Sequence, residues 1–182
     1  MSVTPPILDL ALIGTLPGMP ALTPSRGQMY AEAAAVCLDE VSHSQNVILQ
    51  VKGDSESQFS LQWTAVTDQM KRSYNDLQDS TEFGAYGVAL SLVRELTGMS
   101  AVLQMRKGPN SGFDYWINSA SDDMLQGASR LEVSGILRGT PSAIKERLKT
   151  KKKQTEKSDS TGLPAYSCVV EFSKPEAHFV KR

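Results

Sequence analysis

Apolar residues recur along the chain with two different spacings, and the spacing names the element. Ser25-Arg26-Gly27-Gln28 has the form of a capping box and opens a predicted helix to about Ser42, with Met29, Ala33, Val36, Cys37 and Val41 on one face. The period then drops to two. Val47, Leu49 and Val51 alternate with polar residues over 46–52, and Phe59, Leu61 and Trp63 do so over 59–63, so the polar stretch 53–58 reads as a hairpin loop. Helical spacing returns from Thr67 to about Leu77. A further helix capped by Ser80 or Thr81 is predicted to end at Thr97, with Gly98 as its stop signal. This helix is nearly all apolar or small from Phe83 to Val93, which predicts burial on most sides. Gly84 and Gly87 within it read as sites of close packing.

Three strands are predicted next, over 100–106, 113–117 and 128–137, followed by a helix that Thr140 caps and Pro141 begins, running to about Lys153. A last strand covers 165–173, with a short tail or extra strand at 177–182. The Pro-rich residues 1–24 read as an irregular lead-in. The expected fold is α/β, a central mixed sheet flanked by helices. A length of 182 residues suits one domain, with 1–79 as an N-terminal extension of helix and hairpin and 80–182 as the core.

Composition narrows the setting. Cys37 and Cys168 are far apart, lie in apolar stretches and have no metal-type spacing, so both read as buried thiols in a reducing compartment. The apolar run 7–16 follows no basic region and is broken by Asp9. It is not read as a signal peptide, and no run reaches membrane-spanning length, so the expected location is the cytoplasm, with no membrane partner. The net charge of −1 points to no partner. Within it, 138–153 holds seven basic residues and a single acid, a stretch that either faces a polyanion or is a solvated helix end.

The chemistry is expected in the second half. Asp114 opens the second of the three consecutive strands, and Glu132 lies mid-way along the third, on the same face as Arg130 and Ser134. If these two strands pair antiparallel, the two carboxylates converge. Two convergent carboxylates suit Mg²⁺ or Mn²⁺, which fills its other positions with water and phosphate oxygens. Each residue also has a plainer reading. Asp114 follows a glycine-containing loop and suits a turn. Glu132 fits a solvent-facing strand position, and Glu82 a favourable charge at a helix start. Tyr115 and Trp116 either stack on bases or belong to the core. Phosphate-loop, dinucleotide, HExxH and paired CxxC motifs are absent from the sequence.

The order helix, three strands, helix, strand, with Asp114 on the second strand and Glu132 on the third, resembles the PD-(D/E)xK nuclease superfamily over about residues 80–175. The resemblance implies a restriction-endonuclease-like core, with Asp114, Glu132 and the helix acid Glu82 as metal ligands and DNA or RNA as substrate. The motif's lysine position holds Ser134, so the resemblance requires a lysine from elsewhere, either Lys107 or Lys145. Two functions follow from it. One is a Mg²⁺- or Mn²⁺-dependent nuclease. The other is a catalytically silent subunit of a bacterial complex, binding nucleic acid, a protein partner or a second copy of itself. An unrelated α/β fold with no site is the third alternative.

Overall fold

The structure is a computed structural model and describes residues 4–15, 19–106, 112–119, 125–156 and 159–182. It is an α/β fold built on one mixed eight-stranded sheet flanked by helices. The strands are β1 (Ile7–Asp9), β2 (Ile48–Gly53), β3 (Ser57–Gln62), β4 (Ser100–Gln104), β5 (Tyr115–Asn118), β6 (Ser129–Ile136), β7 (Ala165–Glu171) and β8 (Glu176–Lys181). The helices are α1 (Pro24–Glu40), α2 (Asp68–Ser73), α3 (Leu77–Thr97) and α4 (Pro141–Glu156). Across the sheet the order is β1-β3-β2-β8-β7-β6-β5-β4.

From α3 onward the order is α3, β4, β5, β6, α4, β7, β8, with β4 to β6 a meander and β7 parallel to β6 after the α4 crossover. The N-terminal residues are not a separate appendage. β2 pairs in parallel with β8, so the hairpin β2–β3 extends the same sheet. The lead-in is also more ordered than its prolines predict. β1 adds a parallel edge strand to β3, and a 3-10 turn over Leu10–Gly14 buries Leu10 and Ile13. These apolar residues gain more from the core than the short segment loses in conformational freedom.

Two helix starts differ from the pattern. Thr23, not Ser25, caps α1, because Pro24 fits the first helical position, where no N–H partner is needed. α3 begins a turn early, at Leu77, capped by the Asp76 carboxylate on the N–H groups of Gln78 and Asp79. Its C-terminus is as predicted, with Gly98 in the left-handed conformation at φ 70°.

Helices α1 and α3 share one hydrophobic core with the sheet. The core runs from Tyr30, Ala34 and Cys37 through Val88 and Leu92 to Leu131, Val133 and Cys168. The two helices touch through small residues. A Cβ on Gly84 would lie 2.9 Å from the Ala34 Cα, and one on Gly87 would lie 2.9 Å from the Tyr30 carbonyl oxygen. Both thiols are buried and pushed up to about 12 by desolvation, with no sign of a reactive cysteine.

α4 covers the other face, over β6 and β7, and it is held differently. Ile144 and Thr155 are its buried residues. At its C-terminal end Arg130, only 3% exposed, reaches up from β6. Its guanidinium donates to the carbonyls of Thr155 (2.9 Å) and Leu163 (2.6 Å) and pairs with Asp159 (3.4 Å). One side chain thus fastens the helix end and the segment that follows it. Arg130→Ala should lower stability by about 1–3 kcal/mol, because it takes the guanidinium donor away from the buried Thr155 carbonyl. Urea denaturation measures this, and a loss within about half a kcal/mol, the range of an ordinary surface change, would show that the fastening is redundant.

Candidate active site between helix α3, strand β6 and helix α4

β6 presents its polar face to α4. Residues 130, 132 and 134 emerge on that face because strand side chains alternate, and α4 meets each in turn. Arg147 donates to the Ser134 Oγ (3.0 Å), Lys151 to the Glu132 Oε1 (2.5 Å), and Arg130 to the Thr155 carbonyl. The match is metrical. Four helical residues advance about 6 Å and two strand residues about 6.6 Å, so a helix running antiparallel to the strand stays in step for two turns. Glu132 is therefore not solvent-facing. It is 6% exposed in the middle of the sheet, with an ammonium group on one oxygen.

Asp114 stands where the β5–β6 ladder ends. The register Tyr115↔Leu131 puts it opposite Glu132. Its backbone N–H donates to the Leu131 carbonyl (2.7 Å), and its own Oδ2 accepts the Val133 N–H (2.8 Å), a donor that a longer β5 would have satisfied with a carbonyl. Its Oδ1 accepts from the Tyr86 hydroxyl (2.9 Å). One turn earlier on α3, Glu82 lies 3.4 Å from the same hydroxyl. α3 can approach this closely because residue 135 is glycine. A Cβ there would sit 2.3 Å from the Thr81 carbonyl oxygen.

The result is an open cleft of about 700 Å³ lined by Glu82, Tyr86, Asp114, Ser134, Arg147 and Lys151, among others. Acids enter it from α3 and the β5 end, cations from α4. Burial, followed by the charge of Asp114, pushes the Glu132 carboxyl up to about 7, against the opposing pull of Lys151. The Tyr86 hydroxyl is pushed well above the usual phenol range, by burial first and then by Asp114. Glu171 is a second buried carboxylate, outside the cleft. Its oxygens are occupied by the backbone N–H groups of Gly139, Ser173 and Lys174, so it serves the turn after β7.

Of the residues singled out in the sequence, Asp114 and Glu132 face one another, and Glu82 lines the same cleft as Asp114. Lys145 does not join them. It is six positions before Lys151, about 240° around the helix at 3.6 residues per turn, and lines a groove on the opposite flank of α4. Lys107 lies outside the described residues. The cations at the site are Lys151 and Arg147, which reading α4 as a solvated basic helix passed over. Their signal was present, since 147 and 151 step by four as 134 and 132 step by two, but only a helix packed antiparallel on β6 gives that coincidence meaning. Tyr115 is fully buried and hydrogen-bonded to Tyr30 (2.7 Å), which makes it core. Trp116 is half-buried against Phe113.

Among the described residues no group of three or more His, Cys, Asp or Glu side chains is arranged to hold a metal ion, and no helix is long and apolar enough to cross a membrane. Asp114 raises the proton affinity of the buried Glu132 beside it, and such a pair is nevertheless a donor set that a small, hard cation would relieve. No family model, curated protein or solved structure matches this chain.

The Glu132 carboxyl gives a signed pH test. Its folded value of about 7 stands above the ordinary 4.5, so between these values the folded protein holds a proton that the unfolded chain has released. Stability from this group is present below about 4.5 and is lost as pH rises through about 7. Glu132→Gln removes the ionisation. The melting temperature of the variant minus that of the parent should therefore climb between pH 5 and pH 8. A difference that stays flat or falls across that window contradicts the raised value.

Proposed function

We propose that this protein is a divalent-metal-dependent phosphodiester hydrolase of PD-(D/E)xK type, acting on DNA or RNA, with a restriction-endonuclease-like core over residues 80–175. The observation that carries the reading is the facing pair Asp114 and Glu132 at the β5–β6 junction, with Lys151 on Glu132 and Glu82 across the cleft. The α3-to-β7 element order supports it. Lys151 stands in for the motif lysine that Ser134 replaces, reaching the carboxylate from the helix instead of from two residues along the strand.

Each side chain then has a task. Asp114 and Glu132 would hold the cation, with Glu82 as the acid nearest to complete the set. The bound cation would supply a more acidic water and neutralise charge on the phosphate. Tyr86 and the Val133 N–H fix the Asp114 carboxylate through both oxygens, so it is oriented before any ligand arrives. Lys151 and Arg147 keep two positive charges at fixed places on the cleft wall, where a pentavalent phosphate would gather negative charge. Glu132 holds the Lys151 ammonium in place, and the Ser134 hydroxyl accepts from Arg147.

The test incubates the pure protein with single- and double-stranded DNA and RNA, with Mn²⁺, with Mg²⁺ and with EDTA. Cleavage should require the cation and vanish in Asp114→Asn. Lys151→Met should lower the rate about 10²–10³-fold, the loss typical of one preorganised charged donor. Ser134→Lys should gain nothing, because Lys151 and Arg147 already occupy its surroundings. No cleavage of any substrate under any of these conditions would sink the enzyme reading.

The serine at the motif's lysine position favours a second reading, a nuclease fold that binds without cutting. Calorimetry set beside the cleavage assay separates the two. In both, saturating Mn²⁺ should raise the melting temperature at pH 8, where Glu132 is ionised, and should do so far less in Asp114→Asn. Cation binding without cleavage selects the silent form, and absence of both removes the metal site.

A further inference from the structure

The basic character of α4 is not used up by the cleft. The helix carries six cations and two acids on a protein of net charge −1. Arg147 and Lys151 face the cleft, and four lysines remain. Lys145, Lys149, Lys152 and Lys153 line a second concavity of about 700 Å³, on the other flank of α4, whose apolar lining is Leu148 and Val180 of β8. Glu146 and Glu156 also line it, leaving an excess of two positive charges. Elsewhere Lys52 is paired with Glu176 and Lys71 with Asp39. Among the described residues, none of the four groove lysines has an acid within ion-pair distance.

A cationic rim over an apolar strip matches a ligand with regularly spaced anionic groups and flat apolar faces between them. Lys145, Lys149 and Lys152–Lys153 succeed one another at about one helical turn, close to 6 Å. An acidic peptide offers the charge but lacks a flat face at each step, whereas a nucleic-acid strand has both, phosphates for the lysines and sugar or base for Leu148 and Val180. We propose that the groove between α4 and β8 binds the sugar-phosphate backbone of a single nucleic-acid strand, so that the strand crosses α4 and is anchored beside the cleft. The choice of nucleic acid over other polyanions rests on the phosphodiester reading of that cleft. The groove itself is a separate set of residues and is testable separately.

The experiment measures fluorescence anisotropy of a labelled single-stranded oligonucleotide with the full chain in EDTA, which prevents cleavage, over a range of salt concentrations. Lys145→Gln/Lys149→Gln/Lys152→Gln/Lys153→Gln should weaken binding and flatten the plot of log affinity against log salt by about 3, since each single-strand phosphate contact contributes about 0.7. The double variants Lys145→Gln/Lys149→Gln and Lys152→Gln/Lys153→Gln should each remove about half of that slope change, which keeps the result independent of whether the fourfold variant folds. A parent that binds no strand, a slope unchanged in the double variants, or displacement of the strand by poly-glutamate as readily as by an unlabelled oligonucleotide of equal charge would each overturn the proposal. A parent that binds through the groove yet never cleaves with Mn²⁺ would support the groove and dismiss the hydrolase. One that cleaves while the groove variants bind unchanged would do the reverse.

Discussion

Glu132 sits in the middle of an eight-stranded sheet, between β5 and β7 and beneath α4, and much of the second half of the molecule is arranged around that fact. A carboxylate taken out of water needs a partner or a proton. Lys151 is the partner, and it can reach only because α4 runs antiparallel over β6 in step with its polar face. The helix has little hydrophobic attachment of its own, so Arg130 at one end and Arg147 and Lys151 further along do what a leucine stripe does in other helices. A polar seam of this kind is costly as a fastening and rigid once satisfied. It fits a helix whose main duty is to hold charges in place.

The opposite face of the sheet follows a different rule. There α1 and α3 meet through alanine and glycine, close enough to leave no room for a Cβ at Gly84, and α3 is pressed onto β6 at Gly135. That pressure has a chemical result. It brings Tyr86 and Glu82 to the end of β5, where Asp114 is clamped from both sides by a tyrosine hydroxyl and a backbone N–H. The N-terminal extension takes part in this arrangement, since Tyr30 of α1 packs on Tyr86 and bonds Tyr115, the neighbour of Asp114. Helix α1 therefore braces the cleft while the β2–β3 hairpin extends the sheet.

The sequence by itself determined most of the secondary structure and the α/β class. Period-two runs gave the strands, the apolar and small stretch 83–93 marked the most buried helix, and Gly98 and Thr140-Pro141 punctuated their helices, because these signals act within a few residues and depend on local backbone geometry. Asp114 and Glu132 were also legible, since alternation puts Glu132 on the polar face and an antiparallel pair brings the two together. What only the tertiary structure decided was which cation answers them, and that the lead-in joins the sheet. Lys107, Lys145 and Lys151 are alike in sequence. Helix phase and the direction in which α4 crosses β6 send Lys151 to Glu132 and Lys145 to the far groove. Likewise nothing local in Ile7–Asp9 announces a strand; its pairing with β3 exists only once the hairpin offers an edge. Both outcomes depend on contacts between residues far apart in the chain, which local periodicity does not encode.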